Sequence, residues 1–259
     1  AVEPFASCFL QSLGSEDAAE LRDVLEAVSL LGRGGSWAAD AVADLFLADS
    51  WSVRRSAAMA YGQICGNSGN LGAWIETSKE NGDSEASDME AGGPGAGAGK
   101  VPAAAMRLSK MLEDEIPDVA EKAAQALGRL GYQGALYAHQ LARCLEDEDQ
   151  SLARASLEAI LSLLGSRSSA TQEAAAAGMG SSFQQGGQVP VDVRERLAME
   201  LVKAAQGEDR NVREESVRAL GRLGSAMNRE PAGRGGRRTR LQRVILDAVL
   251  EGLQDVSVA

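Results

Sequence analysis

The chain has 259 residues, 44% hydrophobic and 24% charged, which is long enough for a sizeable core and outside the composition of disordered chains. Aromatics make up 4% and the formal net charge is −11. The first disfavours strand-built folds, and the second sets the chain against nucleic acid and anionic membranes as general partners.

Residues 3 to 13 open with Pro4 at a first helical position and carry Phe5, Cys8, Phe9 and Leu13 at helical spacing. After the polar break at 14 to 17, ELRDVLEAVSLLG (20–32) places Val24, Ala27, Val28 and Leu31 on one stripe and ends on Gly32. A Gly/Ser turn leads to WAADAVADLFLAD, read as a helix, and then to VRRSAAMAYGQIC (53–65). The pattern returns in VAEKAAQALGRLG (119–131), LARASLEAILSLL (152–164) and, most clearly, VREESVRALGRLG (212–224).

In that clearest copy Val212, Ser216, Ala219, Leu220 and Leu223 form the apolar stripe of an amphipathic helix. Gly224 falls where a left-handed C-terminal cap favours glycine. The inner Gly221, matched by Gly62 and Gly128, implies a neighbouring helix in close approach, since a mid-helix glycine otherwise costs about 1 kcal/mol. Seven residues before each unit stands Leu13, Phe46, Leu112, Leu145 or Ala205, followed by an acidic turn. Each unit is therefore helix, acidic turn, helix, with starts 33, 66, 33 and 60 residues apart. A fixed period of helical pairs predicts an all-α, right-handed α-solenoid over 1–259, of about five pairs and a partial sixth.

Three stretches interrupt the period. Residues 67–101, rich in Gly, Ser and acids, hold too few apolar groups to order and are read as a disordered insertion. Residues 166–189 form a second insertion, and 225–238, with PAGRGGRR, a basic third one. Pro102 and Pro190 restart helices. The last residues, LQRVILDAVLEGLQDVSVA, end inside a repeat, as in a fragment of a longer array.

Asp followed by Val-Arg and an alanine-rich helix ending Ala-Leu-Gly-x-Leu-Gly resembles the HEAT-like repeats, in particular the phycobilisome-lyase-type class. The best copies are EDRNVREESVRALGRLG (208–224), IPDVAEKAAQALGRLG (116–131) and DSWSVRRSAAMAYGQIC (49–65). The resemblance implies that second helices line a concave side. It also implies that the acidic turn and the Arg at a unit's second position tie successive repeats. Arg54 and Arg213 match that position, whereas Leu21, Ala120 and Ala153 do not.

Positions three, seven and eleven of each unit lie away from the apolar stripe and are the candidate partner-binding residues. Among them are Arg22, Arg55, Met59, Gln125, Arg129, Arg154, Glu158, Glu214, Arg218 and Arg222. Such a mixed surface suits a protein partner, so the function expected is a non-catalytic scaffold or adaptor. A bilin lyase-like subunit acting on a phycobiliprotein is the alternative from the resemblance. A nucleic-acid binder using the basic patch Arg234, Arg237, Arg238, Arg240 and Arg243 is the third, although no aromatics are interleaved there for base stacking.

The chemistry-bearing residues are sparse. His139 is the only histidine, so the several His-Glu pairs of a di-iron helical-repeat hydroxylase such as deoxyhypusine hydroxylase cannot be assembled. The acidic clusters at 113–115 and 146–149 lack the alternating ligands and central glycine of a calcium loop and read as helix caps. No catalytic residue, metal or cofactor is expected. Cys8, Cys65 and Cys144 form no Cys-x-x-Cys pair and leave one thiol unmatched in any disulfide scheme, which points to an intracellular, cytoplasmic chain with reduced thiols. No run reaches 18 apolar residues, so no membrane insertion is expected. The first residue, Ala1, is not Met, which leaves a removed targeting segment open.

Overall fold

Local sequence starts and stops most of the helices. The structure, a computed structural model, describes residues 3–66, 101–184, 191–229, 243 and 245–250, and among them there is no strand. The helices are α1 (Glu3–Ser12), α2 (Ala18–Leu31), α3 (Ala39–Asp44), α4 (Trp51–Cys65), α5 (Val101–Met111) and α6 (Pro117–Arg129). They continue with α7 (Tyr132–Ala135), α8 (Ala138–Arg143), α9 (Gln150–Leu164), α10 (Ser169–Gln184), α11 (Val191–Ala205) and α12 (Arg210–Arg229). Residues 245–250 are also helical.

Three acidic turns cap the helices that follow them, whereas the one at 113–115 does not: the residue before α6 is Ile116, and Asp114 accepts from its amide and from Arg54 instead. Asp17 accepts from the Ala19 amide at 2.8 Å, Asp149 from Ser151 and Leu152 at 2.7 and 3.2 Å, and Asp209 from Asn211 and Val212 at 2.9 and 3.2 Å. Each satisfies amides that have no partner inside the helix. Gly32 closes α2 with φ 51°, and Gly131 follows α6 with φ 58°, the backbone region open to a residue without Cβ. The cap expected at Gly224 is absent, because α12 runs on to Arg229. Glycine permits a left-handed turn without forcing one, and the next residues, Ser225, Ala226 and Met227, carry no breaker.

The five units occupy five amphipathic helices, and their predicted stripes are the buried ones in α4, α6, α9 and α12. Val53, Val119, Leu152 and Val212 open the stripes, and Ile64, Leu130, Leu163 and Leu223 end them, all buried. Tyr61 packs edge-to-face on Phe46 of the preceding 3-10 turn Leu45–Leu47, with ring centroids 5.4 Å apart. In α2 the stripe is rotated: Leu21, Leu25 and Val28 are buried, whereas Val24 and Ala27 are half-buried and Leu31 is exposed. The unit begins one residue later than its sequence reading: Leu21, Leu25 and Val28 have the spacing of Val53, Ala57 and Ala60 in α4.

Two rows of helices result. Helices α2, α4, α6 and α9 stack on one another in order, and the shorter α3, α5 and α7–α8 run alongside as their antiparallel partners. Close approach is set by the inner glycines, as expected for two of them. A Cβ on Gly62 would lie 2.9 Å from Ala126 Cα, and one on Gly128 2.7 Å from Ala159 Cα. Gly221 departs from the expectation, since nothing lies within 4 Å of its Cβ position.

The stretch 166–189, read from the sequence as an insertion, contains α10, a repeat helix with Ala175, Ala176 and Met179 fully buried. This helix lies along α7 and α8, with Gly178 fitted against Ala138 and His139, while its other side carries α12. A Cβ on Gly180 would lie 3.4 Å from Ala219 Cα, an ordinary contact and looser than the fit that joins α4 to α6. Helix α11 takes the place next to α9. The alternation of rows therefore continues through α10, α11 and α12, and α12 stands in the row opposite to α4, α6 and α9. The insertion 67–101 lies, but for Val101, outside the described residues, as does most of 225–238.

Candidate functional site

The uncovered side of the α2, α4, α6 and α9 row collects most of the predicted partner-binding residues. Arg22 is exposed on α2, Arg55 and Met59 are half-buried on α4, and Gln125 and Arg129 line α6, the first half-buried and the second exposed. Arg154 and Glu158 are exposed on α9. Their neighbours Gln63 and Ser162 are exposed on the same side. Neighbouring helices approach closely enough for side chains to cross between them: the Arg129 side chain passes over Gly62 and Gly66 of α4, and Ser162 donates to the Gly128 carbonyl at 3.4 Å.

Part of the charge on this surface is neutralised internally. Arg154 Nε donates to Glu158 at 3.0 Å, one turn along α9. Lys122 Nζ lies 2.8 Å from Glu121, and Gln125 donates to the same carboxylate at 2.8 Å. Arg55 reaches Asp118 of the next helix only at 3.9 Å.

The remaining predicted residues are not brought to this surface. Glu214, Arg218 and Arg222 sit on α12, in the other row, where Arg210 and Arg218 flank Glu214 at 3.0 and 3.5 Å and Arg218 also pairs with Glu215. Arg222 extends over Gly180 of α10. Their place in the first row is taken by α11, whose outward residues Arg196, Met199 and Lys203 are exposed. A signal for this was present: from Thr171, the sequence TQEAAAAGMGSSF has Ala175 and Met179 at the fifth and ninth unit positions, with glycine at the eighth and tenth. Alanine monotony hid it, because a stripe of alanine on alanine has no periodic contrast. Of the basic patch, Arg234, Arg237, Arg238 and Arg240 lie outside the described residues, and Arg243 is exposed.

The tie between repeats implied by the resemblance is formed once among the described residues. Arg54 Nε and Nη2 donate to the two Asp114 carboxylate oxygens at 2.8 and 3.0 Å, and Nη1 donates to the Ala48 and Asp49 carbonyls at 3.0 Å each. One guanidinium thus joins the acidic turn before its own helix to the turn of the next repeat. The hydrogen bond to Asp114 raises the Arg54 pKa. Burial acts to raise the Asp114 carboxyl, but the Arg54 hydrogen bond, the Ile116 amide and the guanidinium charge outweigh it and hold it below its ordinary value. Arg213 repeats the local half, donating to the Gly207 and Glu208 carbonyls at 3.1 and 2.6 Å.

The cysteines show no arrangement for nucleophilic work. Burial pushes the Cys65 thiol up to about 12, against a smaller opposing effect of its hydrogen bond with Tyr61, and burial likewise raises Cys144. Cys8 is exposed on α1. His139 is half-buried on α8 beside Gly178. Among the described residues no three His, Cys, Asp or Glu side chains are grouped to hold a metal, and no helix is long and apolar enough to cross a membrane.

No protein-family model matches the sequence, and no curated protein matches it. Solved structures do resemble the fold. A designed armadillo repeat protein, YIII(Dq.V1)4CPAF, in complex with peptide (KR)4, aligns with 93% of this chain and 98% of its own at a TM-score of 0.53 and 18% identity. Another, designed armadillo repeat protein YIII(Dq)4CqI, covers 95% of this chain and 98% of its own at a TM-score of 0.51 and 17% identity. At such identity the likeness speaks to architecture alone, and it establishes an all-α solenoid of HEAT-like and armadillo-like repeats.

Proposed function

We propose that this protein is a non-catalytic scaffold that binds a protein partner along the row formed by α2, α4, α6 and α9. One observation carries the reading: these helices stack directly on one another and leave an outer side on which Met59, Gln125, Arg129 and Glu158 are accessible. Such a surface gathers many weak contacts across repeats instead of one deep pocket. The peptide held by the similar designed armadillo protein supports the idea that this architecture can take a peptide. The finer assignment, to phycobilisome-lyase-type repeats, rests on the motifs at 208–224 and 116–131 together with the Arg54–Asp114 tie. For a lyase activity the raised thiols of Cys65 and Cys144 give no support.

Photo-crosslinking tests the scaffold reading. A benzophenone amino acid at Gln63 or Glu158 is expected to capture a defined polypeptide in cells of the source organism. The same probe at Leu136 or Ser181, exposed on the other row, is expected not to capture it. Identical capture from both rows overturns the placement of the surface. Recovery of a pigment-bearing adduct would favour the lyase alternative.

A further inference from the structure

We draw no further inference here: the strongest candidate, the edge on which the exposed Leu47 and Trp51 stand next to the acidic turn at 113–115, is an acidic cluster, and nothing in the structure shows what covers its two apolar side chains.

Discussion

Asp114 is only 10% exposed and Arg54 19%, so their two-oxygen contact sits between a surface pair and a buried one. Removing one partner of a buried pair costs about 3–5 kcal/mol, whereas exposed pairs contribute about 0–1 kcal/mol. Asp114→Ala is therefore expected to destabilise the protein by about 1–3 kcal/mol in urea unfolding, and a double-mutant cycle with Arg54→Ala should show coupling. The pH dependence has a definite sign. Because the folded Asp114 carboxyl lies below its unfolded value near ~3.9, its contribution is present above that pH and is lost as pH falls through the folded value. Arg54, raised when folded, contributes below the ordinary guanidinium value and loses that contribution only as pH rises through the folded one. Stability curves of the wild type and Asp114→Asn should thus converge in acid. The glycines allow a paired test. Gly128→Ala puts a methyl 2.7 Å from the Ala159 backbone and should destabilise markedly. Gly221→Ala meets open space within a helix and should stabilise by about 0.5–1 kcal/mol. Thermal melts of the two variants moving in the same direction would contradict the stacking described.

Thiol chemistry also resolves at the scale of residues. Cys65 is buried with its thiol pushed up to about 12, whereas Cys8 is exposed. Alkylation of the native protein near pH 8, followed by mass spectrometry, should modify Cys8 readily and Cys65 only once the chain is unfolded. Fast labelling of Cys65 in the native state would mean that the end of α4 opens far more often than its packing implies.

Among the elements, α10 separates a repeat helix from an insertion. Met179 is fully buried in it, so Met179→Ala should cost about 2–5 kcal/mol. A surface insertion would tolerate the same change within about 0.5 kcal/mol. The other elements follow more directly from local signals. The carboxylate caps before α2, α9 and α12, Pro117 at the start of α6, and the positive-φ glycines after α2 and α6 all sit where their residue types act on the backbone. Two departures have local causes as well. The stripe of α2 starts one residue late, at Leu21, where the larger apolar side chains stand, and α12 passes Gly224 because no breaker follows it.

At the scale of the whole molecule, α10 shifts the phase of the solenoid. By adding one helix to the alternation it sends α12, the clearest sequence copy, to the row opposite its relatives α4, α6 and α9. Deleting residues 169–184 is expected to leave α12 without its stacking partner. Hydrogen exchange should then show protection lost over 191–229 and retained over 101–164. Uniform protection after the deletion would show that the two rows do not depend on α10.

The amino-acid sequence by itself determined the repeat, its helix-turn-helix unit, the buried stripes of four of its five helices and the carboxylate caps before α2, α9 and α12. These are properties of local spacing: periodicity fixes which face is apolar, and carboxylates next to a helix start find free amides wherever the chain goes. Only the tertiary structure decided which helices share a surface. Arg222 and Arg129 hold the same position in their units, yet they stand on opposite rows, because row membership depends on how many helices intervene and not on the sequence of the helix itself. The alanine-rich α10, with its stripe hidden in residues too alike to show a period, was the helix on which that count turned.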